Sequence, residues 1–435
     1  MRFYSTNRQC QDASLEEAVM TGLAPDGGLY MPLRIPEIPR AFFNNINEMS
    51  IANIAYVVAN TMLGDDIDAA QLNAIVTDTF SFDIPLRKID NRIYALELFH
   101  GPTLAFKDVG ARFLARIISH YSSSLTDEVN VLVATSGDSG GAVANGFHNV
   151  PGVKVFVLYP ENGLTEMQKQ QFTNLGGNVH PIAVKGTFDN CQQLVKMAFQ
   201  DEELRKSMLL TSANSINICR LLPQMFYYFY GFAQLSNLTD NLDNVVVSVP
   251  CGNLGNLTAG LLAKRMGLPV KRFIASNNKN DVFTRYLRDG NFSPCVSTRT
   301  IAPGMDVGNP SNFSRIMDMY DSDYTAISQI IKGYSYTDDE IKETLVDTYS
   351  INSYLLDPHG ATAYRALKDD LKDGEVGMFL ETAHPSKMAR IMKEATGVEF
   401  KGMQTVGNAH SNHPSSIPRI SSSYDSLKKI LLTTT

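Results

Sequence analysis

The chain has 435 residues, 44% of them hydrophobic and 19% charged, with a net charge of -7. That length supports two or three domains with cores of their own, and the balance is globular rather than disordered or fibrous. With no basic tail and no long Lys/Arg block, an extended nucleic-acid face is set aside, although a local basic pocket for a small anion is not.

The first stretch, residues 1–95, reads as a mostly helical region. Ser14 followed by Glu17 fits a capping box, and residues 51–63 (IANIAYVVANTML) form a buried-helix pattern. Residues 25–28 (PDGG) are a turn, and 29–39 is a Pro-punctuated extended run. From residue 93 short apolar strands alternate with helices: IYALEL, then a helix from Lys107; VNVLVAT, a glycine loop and a helix; VKVFVLYP and a helix; VHPIAV and a helix. A helix at 221–235 leads to NVVVSVP, a second glycine loop, NLTAGLLAKRMG and the strand VKRFIASN. This alternation predicts an α/β protein with largely parallel sheets. Residues 296–375 are less regular and read as a helical excursion before the strand EVGMFLET. Asp338, Asp339 and Glu340 read as the acidic first turn of a helix. The rhythm divides the chain into 1–95, 96–240, 241–400 and a Ser/Asn-rich tail at 401–435, expected to pack only by its last turn. No internal repeat is present.

The five cysteines, Cys10, Cys191, Cys219, Cys251 and Cys295, form no C-x-x-C pair and suit no zinc site. Their odd number and wide spacing point to free thiols in a reducing compartment. No apolar run reaches membrane-spanning length and no continuous apolar leader opens the chain, so the expected location is cytoplasmic, with no membrane partner.

Four places carry chemistry, and each has a plainer reading beside it. Lys107, between a strand and a helix start, is either a pocket lysine or a surface lysine where the helix dipole slightly disfavours its charge. The loop Thr135 to Gly141, with Ser136, Gly137, Asp138 and Ser139, is either an anion cradle or a turn capped by Asp or Ser. The loop Gly252, Asn253, Leu254, Gly255, Asn256 suits a phosphate; it is not G-x-G-x-x-G, and no P-loop motif is present, which ranks a small anionic cofactor above a dinucleotide. Asn214, Ser215, Ile216, Asn217 and Arg220, with Arg112 nearby in sequence to Lys107, offer a second anion site; the alternative is a helix cap at Asn214 and a carboxylate partner for Arg220. Thr382 either faces a heteroaromatic nitrogen or makes a core hydrogen bond. His100, His359 and His384 suit no metal. Residues 357–361 (DPHGA) form a pocket wall or a turn.

The segments LFHGPTLAFKDVGARF, ATSGDSGGAVA, SANSINICR and VVSVPCGNLGNLTAG resemble those of threonine synthases. So do DGGLYMP, NNKNDVFTRYLRDG, GMDVGNPSNFSR, DPHGATAYRAL and ETAHPSK, in the family's order and across most of residues 1–400. The resemblance implies a type II pyridoxal-phosphate fold, two α/β domains with the cofactor between them, after an N-terminal helical region. It implies Lys107 as the Schiff-base lysine, Gly252 to Asn256 as the cofactor-phosphate loop and Thr382 as the partner of the pyridine nitrogen. Ser136 to Ser139 would lie near the substrate carboxylate, with Asp138 where many relatives have Asn. Asn214, Ser215 and Arg220 would hold the substrate phosphate. The implied substrate is O-phosphohomoserine and the implied assembly a monomer. The rivals are a phospho-lyase or a serine/threonine dehydratase of the same fold, and a non-enzymatic binding protein that retains the pocket.

Overall fold

The structure, a computed structural model, describes residues 1–434 apart from positions 124, 126, 136, 163 and 401–416. The chain gathers into two compact units. One holds residues 31–106 and the run from Leu221 through the helix Ala389–Thr396; the other holds Arg2–Tyr30, Lys107–Arg220 and the described residues 417–434.

In chain order the strands are β1 (Phe3–Ser5), β2 (Tyr30–Pro32), β3 (Leu86–Lys88), β4 (Ile93–Glu97), β5 (Val129–Ala134), β6 (Val153–Pro160) and β7 (Val179–Lys185). They continue with β8 (Leu209–Ser212), β9 (Val245–Pro250), β10 (Arg272–Asn277), β11 (Ile331–Ser335), β12 (Val376–Glu381) and β13 (Arg419–Ser421). The first unit is built on a six-stranded sheet in the order β11-β10-β9-β12-β4-β3, parallel except where β3 runs against β4. Val247 of β9 lies between Phe273 of β10 and Met378 of β12. Strands β9, β10 and β12 are buried along their whole length, as unbroken apolar runs in a parallel sheet require. The second unit has a fully parallel sheet in the order β13-β7-β6-β5-β8.

Several local expectations hold. The helix Leu15–Thr21 opens with the capping box: Glu17 N–H donates to Ser14 Oγ at 3.1 Å and Ser14 N–H to Glu17 Oε2 at 2.7 Å. Ile51–Leu63 is a helix that buries Ile54, Val58 and Met62. The acidic turn at 338–340 opens the helix Asp338–Asn352, where Thr337 and Glu340 form a second capping box.

Three features differ from the sequence reading. The compact units interleave, whereas the divisions at 95, 240 and 400 run along the chain: β4 pairs with β12, far away in sequence, because parallel neighbours need a crossover. The N-terminal stretch divides accordingly. Thr211 Oγ1 and Asn217 Nδ2 both donate to the Val19 carbonyl, at 3.1 and 3.0 Å, and so tie the helix Leu15–Thr21 to the segment at β8. Within 296–375 the edge strand β11 pairs with β10. The tail is more than a surface appendage. β13 extends the sheet beside β7, and the helix Tyr424–Thr434 buries Leu427 and Leu431 against Leu194 and Val195 in one apolar cluster. The histidine-bearing part of that tail lies outside the described residues. No helix among the described residues is long and apolar enough to cross a membrane, and the five cysteines are free.

The tail therefore contributes to folding. Leu427→Ala is expected to lower unfolding free energy by about 2–5 kcal/mol, the range for an emptied leucine site, read by chemical denaturation. A loss within experimental error would return the helix to the status of an appendage.

Candidate active site

The helix Lys107–Ser122 begins at Lys107, which is half-buried, and Asp108 in its first turn is buried. The segment leading to it is clamped. Phe106 N–H donates to the Thr382 carbonyl at 2.9 Å, His384 N–H to the Leu104 carbonyl at 3.0 Å, and Lys387 Nζ to the Thr103 carbonyl at 2.5 Å. Thus GPTLAF and ETAHPSK act as one backbone clasp. Arg112 is half-buried on the Lys107 helix.

The loop after β5 leads into the helix Asp138–Phe147, which has Gly137 as its cap and no side-chain capping bond. Ser136 lies outside the described residues. Neither Asp138 nor Ser139 caps the helix. Thr135 organises the loop instead: its Oγ1 accepts from the N–H of Gly137 at 3.0 Å and of Gly140 at 2.8 Å. Gln168 Nε2 lies 3.5 Å from Asp138 Oδ1. Thr135 opens the loop singled out in the sequence, but its role as the loop's internal acceptor was not expected, because nothing local distinguishes it from a strand threonine.

Asn214 and Ser215 are half-buried; Arg220, in the short helix Ile218–Leu221, is buried. Arg220 Nη1 donates to the Ala213 carbonyl at 2.5 Å. Burial pushes its guanidinium down to about 10, and the charge of Asp108 opposes that shift. Both sequence readings of Arg220 thus have physical content: a carboxylate stands near a strongly desolvated cation. Asn217 is structural. Its Nδ2 bonds the carbonyls of Val19 and Ser212, and its Oδ1 accepts from Cys219 N–H.

In the other unit β9 runs into Gly252–Asn256. Leu254 adopts a left-handed conformation, φ 61°, and the helix Gly255–Arg265 starts with no side-chain cap. A Cβ on Gly252 would stand 2.8 Å from the Gly304 carbonyl oxygen, so only glycine fits there. The loop is held from behind by a segment of GMDVGNPSNFSR. Asn312 Nδ2 donates to the Asn253 carbonyl at 2.9 Å, and Ser311 N–H to Asn253 Oδ1 at 3.3 Å. Arg315 Nη1 in turn donates to Asn312 Oδ1 at 2.7 Å; it is fully buried, and burial pushes it down to about 9. Asp306 of the same segment accepts from Asn278 and Asn280 at 2.8 and 3.1 Å, and Asn277 Nδ2 donates to the Cys251 carbonyl at 2.9 Å, which together account for the asparagines of NNKND.

The DPHGA segment is both a helix start and a wall. Asp357 caps the helix Pro358–Asp370, and Gly304 N–H donates to His359 Nε2 at 3.2 Å. That leaves His359 Nδ1–H to donate to Asp357 Oδ2 at 3.0 Å. Thr382, just past β12, is buried. Beside it the Glu381 carboxyl is fully buried and accepts from Asp357 N–H at 2.6 Å; burial first, and the charge of Asp357 second, raise it well above the usual carboxylate range. His384 caps the turn Pro385–Met388 through Ser386. Among the described residues no cluster of His, Cys, Asp or Glu could hold a metal ion.

The Gly252–Asn256 loop can hold an anion. The first N–H groups of a helix lack partners within it, and its dipole favours negative charge there. A second observation agrees: Asn256 Nδ2, the side-chain donor of the helix's second residue, is buried and has no hydrogen-bond partner. The residues present therefore fit the phosphate of a phosphorylated cofactor.

Comparison with known proteins bears on which one. Residues 77–380 match the family of pyridoxal-phosphate-dependent enzymes, and residues 2–80 match the threonine synthase N-terminus. Threonine synthase of Haemophilus influenzae is 41% identical over 435 residues, spanning 99% of this chain and 100% of the relative. The crystal structure of threonine synthase from Escherichia coli superposes with a TM-score of 0.91 at 38% identity, covering 100% of both chains. A pyridoxal-phosphate-bound threonine synthase from Brucella melitensis gives 0.91 at 30% identity over 99% of this chain and 98% of its own. With its full length matched at that identity, and with Lys107 and both glycine loops at the strand-to-helix turns where the fold needs them, the chain belongs to the threonine synthase family of pyridoxal-phosphate-dependent, type II fold enzymes.

Proposed function

We propose that this enzyme converts O-phospho-L-homoserine and water into L-threonine and inorganic phosphate. The observation that carries the reading is Lys107: a half-buried amine at the head of a helix, delivered by the clasped segment 103–106, in a chain with family-wide similarity. Pyridoxal phosphate, when bound, supplies an electron sink that lets the substrate's Cα–H bond break.

The chain's own groups do the rest. Gly252, Asn253, Leu254, Gly255 and Asn256 hold the cofactor phosphate, and the Thr382 hydroxyl faces the ring nitrogen. Gly137, Asp138 and Ser139, with Ser136, hold the substrate carboxylate. Asn214, Ser215 and Arg220 hold the substrate phosphate, and Arg112 adds positive charge. Fixing both ends of the substrate places Cα and Cβ against the Lys107 amine, which takes the Cα proton and later returns one. The Cγ–O bond breaks and phosphate leaves. Cβ loses one hydrogen and gains the hydroxyl of water, while Cγ gains a hydrogen, so atoms balance without an oxidant. Water must be kept from Cβ until phosphate has gone. The same reading makes the protein a cytoplasmic monomer acting on a small anionic substrate, with no nucleic-acid or membrane partner.

Incubation of the loaded enzyme with O-phosphohomoserine should release threonine and phosphate in equal amounts. Phosphate matched by 2-oxobutyrate instead would make it a phospho-lyase. Lys107→Ala should lower turnover by about 10²–10⁴-fold, the usual contribution of a positioned base; an undiminished rate would remove Lys107 from the chemistry. For the loop, Gly252→Ala forces a methyl group against a backbone oxygen. Overpacking of about 1–3 kcal/mol implies cofactor binding weakened about 5- to 150-fold, measured by absorbance titration of the apoprotein. Unaltered cofactor affinity would place the phosphate elsewhere.

A further inference from the structure

The helix Gln224–Leu235 carries adjacent tyrosines, Tyr227 and Tyr228, both fully buried, with ring centroids 5.3 Å apart. Gly260 lets the Tyr228 ring lie close against the helix Gly255–Arg265, since a Cβ there would stand 2.9 Å from the ring. Both hydroxyls converge on one atom. Tyr227 Oη lies 2.7 Å from Asn256 Oδ1; Tyr228 Oη lies 2.8 Å from the same Oδ1 and 2.8 Å from the Asn256 carbonyl oxygen. Burial raises both phenols well above their ordinary range, so each keeps a proton to donate. Each hydroxyl has one proton: Tyr228 shares its own between Oδ1 and the Asn256 carbonyl, while Tyr227, 3.4 Å from Gln224 Oε1, has Oδ1 as its much nearer acceptor, which makes Asn256 Oδ1 the accepting end of the amide. Nδ2 is left as a buried donor with no partner in the protein, at the start of the uncapped helix.

A buried amide is costly to leave half-satisfied, and the fold holds this one in place with two hydroxyls rather than letting it turn. We propose that Tyr227 and Tyr228 are positioning residues that lock the Asn256 side chain with Nδ2 as a donor to the cofactor phosphate. The pair thereby adds a fixed side-chain donor to the backbone amides of the helix start. This rests on the reading of Gly252–Asn256 as the cofactor-phosphate loop. Two hydroxyls on one oxygen make each partly redundant, so their effects are coupled rather than additive.

The test compares pyridoxal phosphate with pyridoxal, which lacks the phosphate, in absorbance titrations of the full-length apoprotein. Wild type should prefer the phosphorylated form. Tyr227→Phe with Tyr228→Phe should cut that preference about 5- to 30-fold, the range for a misplaced hydrogen bond to a charged group, leaving pyridoxal affinity unchanged. Each single variant should lose less than half of that on a logarithmic scale. Asn256→Asp, which keeps the shape but removes the donor, should lose at least as much as the double variant. In the loaded enzyme the ³¹P resonance of the cofactor should move in the tyrosine variants. A double variant that keeps the full preference, or that weakens both ligands equally, overturns the positioning role. If it does not fold, an unmoved ³¹P resonance in both single variants overturns it instead. A wild type that binds both ligands equally overturns the loop reading, and this proposal with it.

Discussion

A strand that turns directly into a helix leaves the helix's first N–H groups without partners, and they must find acceptors. Where this chain has only to start a helix, it commonly supplies a side chain: Ser14, Ser50, Asp68, Thr165, Thr187, Thr337 and Asp357 all cap. At several starts, Gly137 and Leu254 among them, it does not; these two are the ones singled out by their glycines. Both sites follow a parallel strand, both are rich in glycine, and each belongs to a different unit. Helix starts without caps are ready acceptor-seeking sites, and the family's chemistry calls for two anions, a cofactor phosphate and an anionic substrate. Within each unit the parallel sheet delivers one such strand end to the start of its helix.

An uncapped loop would be loose if left to itself, so neighbours hold it. Thr135 binds the amides of Gly137 and Gly140. Asn312 and Ser311 take up the oxygens of Asn253, and buried Arg315 fixes Asn312. These bonds go to the loops themselves. They set the backbone beforehand, so that binding need not order it, which is where much of the benefit of a preorganised site lies.

What was legible in the sequence follows from the range of each cause. Ile51–Leu63, the box at Ser14/Glu17, the acidic turn at 338–340 and both glycine loops are decided by residues within a turn or two, so a linear reading finds them. The place of β4 beside β12, the edge strands β11 and β13, and the interleaved units depend on partners far along the chain. A triplet such as Arg419–Ser421, Arg-Ile-Ser beside a serine run, has no local reason to be a strand; only the open edge of β7 makes it one. At the site, GMDVGNPSNFSR was recognisable as a resemblance, but that Asn312 clamps Asn253 was not. Nor did YYFY announce that two of its hydroxyls meet at Asn256.

The buried acid beside Thr382 joins these threads. Glu381 accepts from Asp357 N–H, Asp357 Oδ2 accepts from His359, and His359 Nε2 accepts from Gly304 N–H. Gly304 is the residue whose carbonyl oxygen leaves no room for a side chain at Gly252. A hydrogen-bonded line therefore runs from the end of β12 to the wall of the Gly252–Asn256 loop, within one unit. Burial and the Asp357 charge raise Glu381 well above the usual carboxylate range, which favours its neutral form in this low-dielectric part of the unit. The line is bonded at Asp357, His359 and Gly304, while Glu381 Oε2 is buried with no hydrogen-bond partner; the bonded part ties the position of the proposed ring-nitrogen contact at Thr382 to that of the proposed phosphate contact. For a flat cofactor held at two ends, the distance between them is the quantity the fold has to get right.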